Sequence, residues 1–172
     1  MFKTRTAATA ALVALLAAPL YAAVEKVVKI DATVDLSAVK NEQAASYWAN
    51  LETDLENAIA ARLTDRLAAD AATPDEDGKI DGTQIVIDVR GVELANAFER
   101  ELNLGDAVLV GKVTIKDDTD NTNADQYELT VSLENAKVVV PEGSTLVLST
   151  DTNEAYTRLV DVFADGIVSR LK

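Results

Sequence analysis

The sequence predicts an α+β domain: a mainly antiparallel β-sheet with a long N-terminal helix and a C-terminal helix packed on one face. Three observations carry that prediction. Apolar and polar residues alternate along several separate segments, as they do in strands with one side in a core and one in water. Two other segments repeat apolar residues at three- and four-residue spacing, the pattern of an amphipathic helix. The order reads β-α-β-(α)-β-β-(β-β)-α, and one-sided alternation argues against a parallel sheet covered on both faces.

The chain opens on a segment expected to be removed. Lys3 and Arg5 precede an apolar run from Ala7 to Ala18, followed by Pro19 and the small residues Ala22 and Ala23. A positive end, a short apolar centre and a small-residue exit make a secretory signal peptide. A membrane anchor needs about 20 apolar residues to cross roughly 30 Å of hydrocarbon, and this run is shorter. Cleavage is expected after Ala22, although Leu20 is larger than the small residue preferred two places earlier. The leader is then residues 1–22 and the domain residues 23–172, delivered to a bacterial periplasm or secreted. With no cysteine for a lipid anchor, stable membrane insertion is not expected after cleavage.

The first strand has Val28, Ile30, Ala32, Val34 and Leu36 on one side, and Lys29, Asp31, Thr33, Asp35 and Ser37 on the other. From Asn41, a candidate cap, the period changes. Tyr47/Trp48, Leu51, Leu55, Ala58/Ile59, Leu63 and Leu67 form the apolar stripe of an amphipathic helix that runs about seven turns from Asn41 and is stopped by Pro74. An acidic loop leads to a strand with Ile85, Ile87 and Val89 inward. Leu94, Ala95, Phe98 and Leu102 suit a short helix closing at Gly105, with extension of the strand through Val92 to Leu94 the alternative. Ala107 to Lys116 and Tyr127 to Glu134 then alternate around an Asp/Asn-rich loop, a long antiparallel hairpin. Val138–Val140 and Leu146–Leu148 flank a Pro-Glu-Gly-Ser turn as two short edge segments. Asp151, with Glu154 three residues on, caps a second helix whose face is Tyr156, Leu159, Val160, Phe163, Ile167 and Leu171. Gly166 within it costs about 1 kcal/mol against alanine, a cost that close contact with the sheet would explain.

Composition excludes more than it proposes. Removing the leader takes away two cations and no acids, leaving 14 Lys and Arg against 29 Asp and Glu, a formal charge of −15. Such a field repels nucleic-acid phosphates and anionic headgroups and suits basic partners. Cysteine and histidine are absent. Disulfides, thiolate nucleophiles and imidazole-based triads or zinc sites are therefore excluded. No phosphate-binding or dinucleotide-binding glycine pattern is present.

Two loops carry enough carboxylates to raise the question of structural calcium, the one cofactor the sequence leaves open. With Gly78 at the sixth position of a twelve-residue calcium loop, Asp75, Asp77 and Asp81 fall at the third, fifth and ninth. The first and twelfth positions are Thr73 and Gln84, so both outer ligands are missing. An acidic turn around a glycine is the plainer reading. The hairpin loop offers Asp117, Asp118, Asp120, Asn123 and Asp125 without an ordered ligand spacing. Tyr47 and Trp48 beside the helical stripe are either core aromatics or the wall of a ligand pocket. No catalytic residues are assigned. The expectation is a non-catalytic exported domain that binds an envelope protein or a small ligand. A carboxylate-dependent hydrolase of an envelope polymer and a small-molecule carrier are the alternatives.

Overall fold

The computed structural model describes residues 26–35, 46–95, 99, 105–133 and 150–171. The leader, Asn41, the two edge segments and most of the expected short helix at 94–102 lie outside these residues.

Four strands form one mixed sheet in sequential order: β1 (Val27–Val34), β2 (Thr83–Glu93), β3 (Val108–Lys116) and β4 (Asp125–Ser132). Two helices, α1 (Leu51–Arg62) and α2 (Thr152–Val168), pack with it around one apolar core. The α+β class is the expected one. β2, β3 and β4 are antiparallel to their neighbours in that series, whereas β1 and β2 are parallel. The parallel pair follows from the connection. A chain that leaves a strand through a helix and returns to the adjacent position runs in the same direction again.

The inward sides of the strands bring Ala32, Ile85, Ile87, Val89, Leu109, Val113, Ile115 and Val131 into the core. Leu51, Leu55 and Ile59 of α1 and Leu159, Phe163 and Ile167 of α2 meet them. On the opposite side Lys29, Thr33, Asp88, Arg90, Glu128 and Thr130 are exposed. This face is open among the described residues.

Three details differ from the alternation read in the sequence. At the start of β1 a register irregularity between Val27 and Lys29 inserts an extra residue, and Val27 rather than Val28 enters the core cluster. A single inserted residue exchanges the two faces of a strand. Val28 is buried instead over Gly82, whose φ is +108° and where a Cβ would lie 2.7 Å from Val28 Cγ1. Past Gly91 the alternative of an extended strand holds, with a second irregularity after Val89 that carries β2 on to Glu93.

The third difference is the long helix. α1 has 12 residues and ends at Arg62, well before Pro74. A pairing between the chain ends of this unit interrupts it. The Val27 N–H donates to the Arg66 carbonyl at 2.9 Å, and the Ala68 N–H donates to the Val27 carbonyl at 2.8 Å. Backbone committed to β1 cannot continue a helix. Leu63 is still buried and Leu67 partly so, now carried by a turn. From Trp48 to Leu67 the stripe names residues in or against the core, Tyr47 is exposed, and the helix is shorter than the pattern implies.

The helices are tied to each other by side chains. Arg62 reaches Asp165 Oδ1 at 2.6 Å and Asp161 Oδ1 at 3.0 Å, bridging α1 to α2. Hydrogen bonding to Asp165, against the opposing effect of burial, raises the Arg62 pKa further. The Tyr156 hydroxyl donates to Asp54 Oδ2 at 2.6 Å. Asp151 caps α2 as expected, accepting from the Asn153 N–H at 2.9 Å.

Candidate functional site: an interlocked pair of acidic loops

The hairpin and the crossover end at the same edge of the molecule, so the two acidic loops meet. In the first, Asp75 Oδ1 accepts the N–H groups of Asp77 at 2.9 Å and Lys79 at 2.8 Å. Gly78 turns the chain with φ of +77°, a conformation glycine adopts at little cost. The second loop starts at Asp117. Its Oδ1 accepts from the Thr119 and Asp120 N–H groups at 2.8 and 3.1 Å, and its Oδ2 accepts the Gly82 N–H at 3.0 Å.

Asp118 makes the second link. Its Oδ2 accepts the Ile80 N–H at 3.2 Å and the Gln84 side-chain amide at 2.9 Å, and its Oδ1 meets Lys116 Nζ at 3.2 Å. A third link runs through Thr119. Its Oγ1 lies 2.7 Å from both Asp81 Oδ1 and Asp117 Oδ1. One hydroxyl proton serves only one of the two carboxylates at a time.

The electrostatics follow from these bonds. Hydrogen bonds from Gln84, the Ile80 amide and Lys116 hold Asp118 at about 2. Burial pushes Asp117 upward, but donors from Thr119, Asp120 and Gly82 outweigh it and hold its pKa below the usual carboxylate value. Asp120 is also lowered, by the Thr122 hydroxyl and amide. A carboxyl group that acts as a general acid near neutral pH needs the opposite shift.

Between the loops and the start of β1 lies an open cleft of about 330 Å³, lined by Lys26, Val28, Ala71, Asp81, Gly82, Thr83, Asp117, Asp120 and Asn123. Asp81, Asp117, Asp120 and Asn123 belong to loops singled out in the sequence. Lys26, Val28 and Thr83 do not, because their place here depends on the parallel β1–β2 pairing. Asp75 and Asp77 are on the first loop outside this lining. Among the described residues no group of three or more acidic side chains is placed to hold a metal ion. The aromatic pair lies elsewhere. Trp48 is 4% exposed and packs against the Tyr156 ring at 5.6 Å between centroids, whereas Tyr47 is 41% exposed.

No protein-family model matches the chain, and no curated protein matches it. Among solved structures it is similar to a crystal structure of a minor lipoprotein from Acinetobacter baumannii. The two share 18% identity over 83% of this chain and 91% of that one, with a TM-score of 0.34. At that score neither fold nor function carries over. Among the described residues no helix is long and apolar enough to cross a membrane.

Proposed function

We propose that the chain is exported, loses residues 1–22, and serves in the bacterial envelope as a single non-catalytic domain. Its acidic loop pair is the surface that binds a protein partner or ligand carrying positive charge. The observation that carries this reading is the interlocking of the loops by Asp117 and Asp118. It presents Asp81 and Asp120 beside a cleft in a fixed arrangement. A pre-ordered acidic surface avoids an ordering cost on binding and attracts cationic partners at long range. The signal-like leader and the formal charge of the remainder agree with it.

The alternatives draw less support. A hydrolase would need a carboxyl group held protonated, whereas Asp117, Asp118 and Asp120 are all shifted toward the ionised form. A carrier pocket at Tyr47 and Trp48 would need the Trp48 ring to face a cavity rather than Tyr156.

Site-specific photocrosslinking in the producing cell tests the reading. A crosslinker at Asn123 is expected to trap a defined partner, and one at Thr157 on the exposed side of α2 is not. Equal labelling at both positions, or none at Asn123, overturns it. Calcium is tested separately by melting temperature. A rise at millimolar calcium that Asp81→Asn abolishes would assign a structural cation to the loops, and no shift would remove both calcium proposals.

A further inference from the structure

The outer edge of β1 is closed by the helix that follows it. Alternate N–H groups of an edge strand face away from the sheet, and left bare they are a template for another strand. Here the Ala32 N–H donates to Glu56 Oε1 at 3.0 Å, and the Val34 N–H donates to Glu52 Oε1 at 2.8 Å. The spacings match. Four residues of helix rise about 6.0 Å and two residues of strand about 6.6 Å. Carboxylates one helical turn apart therefore meet successive outward N–H groups of a strand running the other way. At the beginning of the strand Val27 is bonded to Arg66 and Ala68. The chain's own side chains and turn stand where a neighbouring strand would.

We propose that Glu52 and Glu56 form a gate that keeps the β1 edge from pairing with β1 of a second copy, and that opening it produces an edge-to-edge dimer. The strand is rich in β-branched residues, with sequence VVKIDATV, which favours strand pairing. An antiparallel β1–β1 contact is self-complementary about a two-fold axis. With the axis at Ala32, which keeps the second strand clear of the turn at Val27, Ile30 of one copy stands opposite Val34 of the other and Lys29 opposite Asp35. Within one copy Lys29 pairs with Asp31 at 2.8 Å on the exposed face.

The test compares Glu52→Ala/Glu56→Ala with Glu52→Gln/Glu56→Gln, which keeps a carbonyl oxygen as acceptor. Mass is measured by light scattering over a concentration series. The alanine pair is expected to gain a concentration-dependent species of twice the wild-type mass, and the glutamine pair to keep the wild-type mass. An alanine pair that has a native circular dichroism spectrum and the wild-type mass at every concentration overturns the proposal. So does a glutamine pair that associates like the alanine pair, because the effect would then reside in charge. Amide exchange of the wild-type chain decides the case if the alanine pair does not fold. Ala32 and Val34 are expected to exchange at least about tenfold more slowly than in an unstructured peptide, and exchange at the unstructured rate removes the gate.

Discussion

Gly111 shows how much of this core depends on a missing side chain. It sits on the inward side of β3, where a Cβ would lie 2.8 Å from Phe163 Cζ of α2. The ring occupies the space that any other residue would fill. Gly111→Ala is expected to cost about 1–3 kcal/mol through overpacking, measured by urea unfolding. Phe163→Leu on that background should recover part of the loss, and strict additivity of the two substitutions would rule out the contact as its cause. Gly166 has a related reason: its position faces Leu129, with Cδ2 3.1 Å from where a Cβ would be. The sequence could place Gly111 inward and flag Gly166 as costly. It could not name Phe163 or Leu129, since which residue meets a glycine depends on how a helix sits on a sheet. Arg62 teaches the same lesson, because its partners Asp161 and Asp165 come from the other end of the chain.

Among the elements, strands were more legible than helices. Alternation located the β3–β4 hairpin, and the register sets Lys112 opposite Glu128 as the outward faces implied. Periodicity found the core residues of α1 but not its end, because tertiary pairing at Val27 overrides a helical pattern that continues in the sequence. The two acidic loops were visible as loops. Their meeting was not, because it requires the crossover and the hairpin to finish at one edge. That junction has a pH signature. Asp117, Asp118 and Asp120 have folded pKa values below their unfolded ones. Their contribution is complete above an unfolded value of about 4 and is lost as pH falls through the folded values, about 2 for Asp118. Thermal melts on the acid side should therefore fall more steeply for the wild type than for Asp118→Asn. Identical acid limbs would mean that Asp118 adds nothing to the junction.

At the scale of the molecule, and among the described residues, two helices cover one face of a four-stranded sheet, the other face carries exposed polar side chains beside the half-buried Val86, Val108 and Val110, and the loops gather carboxylates at one end. The α+β class followed from patterning alone, since alternation and helical spacing each report which side of an element is buried. The parallel first pairing has a separate consequence, in the time course of folding. β3 and β4 are joined by a short loop, whereas Val27 must find Thr83 across the entire crossover. Short closures form first and distant ones carry a larger entropic cost. β1 should therefore dock after the transition state, so Ala32→Gly is expected to quicken unfolding in stopped-flow experiments while leaving the refolding rate near the wild-type value. A comparable slowing of refolding would put β1 in the nucleus. In a newly made chain, the first strand of the sheet to be synthesised would then be the last to lock.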